Sequence, residues 1–75
     1  MELQAGEKVR IRKNIGELLE KEGIYCKVVI DAMRRRAGKE KTIEDVFVNC
    51  YNEVVIYLVD DGFAYRERYI EKNGN

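Results

Sequence analysis

Residues 42–65 read Thr42-Ile-Glu-Asp-Val-Phe-Val-Asn-Cys-Tyr-Asn-Glu-Val-Val-Ile-Tyr-Leu-Val-Asp-Asp-Gly-Phe-Ala-Tyr65. This stretch holds the densest run of β-branched and aromatic residues in the chain, the composition that suits a pleated, half-buried surface. Asn49-Cys50-Tyr51-Asn52 separates its first two apolar runs, and Asp61-Gly62 separates the second from a third. Asp-Gly between apolar runs predicts a type I′ hairpin turn, which needs positive φ at both central residues. Three short antiparallel strands follow as a meander, and a small β-barrel with a binding role is the expectation. Val46 and Val48 share one face, as do Val54, Ile56 and Leu58. Ile43 is one residue out of step with Val46, which predicts a bulge at Glu44-Asp45. Val55, Tyr57 and Val59 make the other face of the central strand apolar too, so a short helix or the first loop is expected to cover it.

Upstream, Glu7-Lys-Val-Arg-Ile-Arg-Lys13 alternates with period two. Val9 and Ile11 face inward, and the opposite face (Lys8, Arg10, Arg12) is wholly basic. Asn14 to Gly23 reads as the long first loop, with one or two helical turns capped by Asn14 and ended by Gly23. Ile24 to Ile30 reads as a brief strand running into about two helical turns, with Asp31 as N-terminal cap or first-turn acid and Gly38 as stop. Val29, Met33 and Ala37 then lie on one helical stripe. Downstream, Phe63-Ala-Tyr65 continues as a strand, Arg66-Glu-Arg68 as a tight turn, and Tyr69-Ile70 as a closing strand against the first. Residues 1–6 read as a frayed lead-in and residues 73–75 as a disordered end.

Seventy-five residues make one domain, residues 1–75, with a modest core. Net charge is zero, but residues 1–41 carry eleven basic against seven acidic side chains and residues 42–75 carry three against seven. That asymmetry predicts either pairing between the halves or a two-faced surface. Two Cys and no His read as reduced, partly buried thiols of a cytoplasmic protein. No run approaches the length of a membrane span, and no signal peptide is evident. Imidazole chemistry is excluded, including any Cys–His nucleophile. Glu44-Asp45 lies on a strand, where adjacent acids point to opposite faces, and Asp60-Asp61 is explained by turn chemistry. No phosphate loop or metal-ligand spacing occurs. The expectation is a protein that is not an enzyme and uses no cofactor or metal.

Gly6-Glu-Lys-Val-Arg-Ile-Arg-Lys-Asn14 resembles the opening strand of SH3-like small barrels, KOW-type modules among them. The chain as a whole resembles a group of short phage and mobile-element proteins of unassigned function with such a barrel. The resemblance runs through Gly6 to Asn14, Tyr25, Met33, Gly38-Lys39, Thr42-Ile43, Asp61-Gly62 and Tyr69-Ile70-Glu71. It departs at Cys26-Lys27, where small residues are usual in the group, and at Phe63-Ala-Tyr65, where Trp is common. It implies an all-β fold, a five-stranded SH3-like barrel with one short helix before the third strand.

Two sets of residues are candidates for recognition. The first is basic: Arg34, Arg35 and Arg36 with Lys39 and Lys41, extended by Lys8, Arg10 and Arg12 of the opening strand. Arginine forks match phosphate and carboxylate geometry, but three consecutive helical Arg fan over about 200°. At least one is therefore expected to lie along the domain and pair with an acid of the second half. The second set is aromatic: Phe63 and Tyr69 are assigned to the core, and Tyr57 and Tyr65 are open between core and binding groove. The favoured function is a protein-binding module of phage or mobile-element origin, acting on a host factor or host defence system. Nucleic-acid binding through the basic set is the alternative, and a small-ligand sensor with its pocket under the first loop is the third. No membrane association is expected, and the chain is expected to be a monomer or a homodimer paired through an edge strand.

Overall fold

The computed structural model describes residues 3–72; the proposed frayed Met1-Glu2 and the proposed disordered residues 73–75 lie outside them. The chain runs β1 (Lys8–Ile11), α1 (Ile15–Lys21), α2 (Lys27–Arg36), β2 (Glu40–Val48), β3 (Val54–Leu58), β4 (Ala64–Tyr65), a 3-10 turn (Glu67–Tyr69) and β5 (Ile70–Lys72). The strands form one antiparallel sheet in the order β4-β3-β2-β1-β5.

The long β2 organises the sheet. Its first residues pair with β1 (Lys8 opposite Thr42, Arg10 opposite Glu40), and its later ones pair with β3 (Val46 opposite Ile56, Val48 opposite Val54). The register shifts between Ile43 and Asp45, where the out-of-step Ile43 predicts the bulge. Gly6 N–H donates to Ile43 O at 2.8 Å, and β1 reaches no further along β2. On the stretch beyond, the Asp45 carboxylate accepts the Val46 N–H at 2.9 Å, occupying a donor that an exposed strand edge would otherwise present.

The expected SH3-like barrel is not formed. β5 pairs with β1, Ile11 opposite Ile70, and β4 pairs only with β3, so the sheet is open, with β4 and β5 as its two edges. A flat five-stranded sheet would hold those edges roughly 19 Å apart, whereas the five residue steps from Tyr65 to Ile70 span at most about 18 Å fully extended. Three of the four intervening residues, Glu67–Tyr69, form a compact 3-10 turn. The sheet must therefore curl, yet its two- and three-residue edge strands do not meet in a ladder.

The fold is also not all-β: two helices stand between β1 and β2. Ile24 to Ile30 is not a strand, and α2 begins at Lys27 with Cys26, not Asp31, in the cap position. Helical spacing buries Ile30 and Met33 on one stripe, and that burial outweighs the strand preference of Val28-Val29-Ile30. The first loop holds the expected two helical turns as α1, seven residues long, with Asn14 at its cap position but no side-chain cap bond. It ends in a Schellman motif at Gly23 (φ +83°): Ile24 N–H bonds Leu19 O and Gly23 N–H bonds Glu20 O, both at 3.0 Å. Both helices contribute to one core. Ile15, Leu19, Ile30 and Met33 pack with Val9, Ile11, Ile43, Ile56, Leu58, Tyr65, Tyr69 and Ile70.

The Asp61-Gly62 turn differs from a type I′ hairpin. Positive φ falls on Asp60 (58°) rather than on Gly62, and the Asp61 side chain is fully buried. Its Oδ2 accepts Arg36 Nε–H and the Tyr65 hydroxyl, each at 2.9 Å, with Lys41 Nζ at 4.0 Å. Its Oδ1 accepts the Phe63 N–H at 3.0 Å. Burial, then the bond to Asp61, pushes the Tyr65 phenol above its ordinary pKa. Asp61→Ala should cost about 2–4 kcal/mol in urea denaturation, because it leaves Arg36 and the Tyr65 hydroxyl without their acceptor. Asp60→Gly should stabilise by about 0.5 kcal/mol, since glycine adopts the left-handed conformation freely.

Candidate binding surface

Of the sequence-predicted basic set, Arg12, Arg34 and Arg36 are spent on internal contacts. Arg36, besides its bond to Asp61, donates Nη1–H to Ala32 O at 2.8 Å and lies 4.9 Å over the Phe63 ring. It is the arginine of the cluster that pairs with an acid from the second half. Arg34 reaches Glu20 of α1 at 3.1 Å, and its stem fills the space where Gly16 lacks a side chain. Arg12 donates Nε–H to Arg68 O at 2.9 Å. Arg10 lies in register between Glu40 of β2 and Glu71 of β5, two acids that offset its charge across the sheet. Arg35 and Lys39 are exposed. A shallow depression joins Arg10, Arg12, Lys13 and Asn14, and Glu71 lines it as well. The residues proposed as one basic patch are thus divided among the C-terminal end of α2, the Lys39–Lys41 stretch that follows it, and the β1 segment.

The aromatic set divides as well. Tyr65 belongs to the core, as do Tyr69 and, at the core's margin, Phe63. Tyr57 is outside it. Register places Phe47 opposite Val55, and Tyr57 opposite both Asp45 and Ala64, so all five lie on the face turned away from the helices. Among the described residues no helix or loop covers Phe47, Tyr57 or Val59 on this face, contrary to the expectation. The Phe47 and Tyr57 rings stack at 5.6 Å with an interplanar angle of 28°, and they remain 41% and 36% exposed. Val55 beneath is buried, and Val59 at the end of β3 is exposed. The result is an aromatic platform continued by apolar side chains. Phe47 was readable as outward-facing from its alternation with Val46 and Val48; its partnership with Tyr57 needed the bulged register.

A second cluster has no counterpart in the sequence reading. Glu22, at the end of α1, accepts Arg68 Nε–H at 2.6 Å and the Tyr69 hydroxyl at 2.8 Å, and Arg68 Nη2 closes a bidentate pair. The Arg68 bond holds the Glu22 carboxyl at about 2, well below its ordinary 4.5. Glu22 and Arg68 are 46 residues apart, so spacing carried no signal of the pair. The cluster borders a cavity of about 330 Å³ between the helices and β4, lined by Leu19, Ile24, Val29, Met33, Ala64 and Arg66 among others. Cys26 and Cys50 are both free and exposed rather than partly buried. Among the described residues no group of three or more His, Cys, Asp or Glu is placed to hold a metal, and no helix is long and apolar enough to cross a membrane.

No protein-family model, curated protein or solved structure matches the chain. Its functional reading therefore rests on its own surface.

The depressed Glu22 pKa sets a pH dependence. A carboxyl whose folded pKa lies below its unfolded value adds stability above the unfolded pKa and loses it as pH falls towards the folded one. The stability gap between the wild type and Glu22→Gln, followed by chemical denaturation, should be constant above about pH 5 and close progressively between about pH 4.5 and 2.

Proposed function

We propose that the chain is a non-enzymatic protein-binding module whose partner seats on the Phe47–Tyr57 face of the β2–β3 hairpin. The observation that carries this reading is the exposed, stacked aromatic pair above a buried valine, on a sheet face that no helix among the described residues covers. Rigid aromatic side chains bury large area at little conformational cost, which is why they anchor protein interfaces. Asp45 flanks the platform in register with Tyr57, adding an acceptor for a polar rim. The two exposed thiols suit a reducing, cytoplasmic setting.

Nucleic-acid binding is less well supported, because Arg34, Arg36 and Arg12 are engaged within the domain and Arg10 is flanked by acids. A photo-crosslinking residue at Val59 should capture a discrete partner from host lysate, and one at Arg10 should not. Capture should be lost in Phe47→Ser/Tyr57→Ser, with the fold retained by circular dichroism. Equal capture from both positions would refute the aromatic face. Saturable, salt-sensitive anisotropy of labelled oligonucleotides at about 50 mM salt would replace this reading with the nucleic-acid one.

A further inference from the structure

The cavity between the helices and β4 is separate from the Phe47–Tyr57 face. Its floor is apolar and comes from three elements: Leu19 of α1, Ile24 of the Schellman turn, and Val29 and Met33 of α2. Leu19 and Ile24 are brought together by the 3.0 Å bond from Ile24 N–H to Leu19 O, so the cavity is a direct product of how α1 ends. Methionine adapts its shape to irregular ligands. Beside the floor, Tyr25 and Val28 are 73% and 75% exposed. They form an uncovered apolar lip where the chain enters α2.

The rim is charged, and its charges are unequally engaged. Glu22 is saturated by Arg68 and the Tyr69 hydroxyl, and Arg68 is held in that bidentate pair. Glu53 Oε1 already accepts Asn49 Nδ2–H at 3.3 Å, and the Glu53 N–H is tied to Asn49 Oδ1 at 3.0 Å. Arg66 differs: its ion pair is with Glu53 at 3.7 Å, beyond hydrogen-bond distance. Glu53 keeps its own Asn49 partner when Arg66 turns away. The uncommitted donors on this rim are therefore a guanidinium fork, which matches a carboxylate.

From this geometry we infer that the cavity is a binding site for a small amphipathic carboxylate, an apolar body with a single acid group. The body lies on Leu19, Ile24, Val29 and Met33, and the acid meets Arg66. At about 330 Å³ the site is at the small end of ligand pockets, which limits the body to a medium-length chain or a single ring system. A second acid would face Glu22 and Glu53, and an uncharged head would leave the Arg66 fork unmatched.

Octanoate is the probe, titrated into the ¹⁵N-labelled full chain, with 1-octanol as the uncharged control. Saturable amide shifts are expected at Ile24, Val29, Met33, Ala64 and Arg66, with Phe47 and Tyr57 unmoved. Arg66→Gln should weaken octanoate about tenfold, the scale of one charge-assisted contact, and leave 1-octanol unchanged. Val29→Phe, on the cavity floor at a partly buried helix position, should fill the cavity and abolish both. Equal affinity of octanoate for wild type and Arg66→Gln, shifts centred on Phe47 and Tyr57, or no saturable shift at all would each overturn the site. The protein-binding reading stands or falls separately, on capture at Val59.

Discussion

A single buried carboxylate joins the two halves of this domain. The side chain of Asp61 has no exposed surface, and removing a charge from water is costly unless every acceptor finds a donor. Here a guanidinium, a phenol and a backbone N–H supply them. The guanidinium belongs to the last residue of α2 and the phenol to β4. One turn residue thereby ties the C-terminal end of the second helix to an edge of the sheet. With that end fixed, Ile30 and Met33 lie against Ile56 and Leu58, and Tyr65 enters the core with its hydroxyl satisfied. Arg36 also returns a hydrogen bond to Ala32 O, within its own helix, so the anchor stiffens α2 as well as docking it.

The same pairing explains what remains for recognition. The basic first half and acidic second half do not form two opposed faces. Arg36 and Lys41 converge on Asp61, Lys72 reaches back to Glu7, and Arg68 crosses to Glu22. The α2 arginines fall at the helix C-terminus, where positive charge complements the backbone dipole. With so much charge matched internally, the distinctive exposed features are apolar: the Phe47–Tyr57 platform on one side, and the cavity with its Tyr25–Val28 lip on another.

Sheet geometry creates both features. Because β1 stops short along β2 and β4 and β5 are brief, the sheet curls without closing. Curling turns one face onto the helices and leaves the other to solvent. The bulge between Ile43 and Asp45 brings Phe47 into register with Val55, beside Tyr57. At the β4 edge, the lack of a further strand leaves room for the cavity under α2.

Local chemistry was legible in the chain. Alternation in residues 7–13 and 42–58 reports strands, because side chains on a strand repeat every two residues. The out-of-step Ile43 reports the bulge, the Asn49–Asn52 turn is written in residues that tolerate left-handed backbone, and Gly23 and Gly38 mark the helix ends. Whether Val28-Val29-Ile30 would extend or coil was not a local matter. Both conformations bury part of the run, and packing against the core selected the helix. Closure of the sheet was equally out of reach, since it depends on whether two edges many residues apart in pairing order meet. The positive φ at Asp60, the burial of Asp61 and the Glu22–Arg68–Tyr69 cluster were settled by contacts over long sequence separations. Spacing and composition describe what a segment prefers; which charges are paired, and so which surfaces are left to bind, was decided only when the segments met.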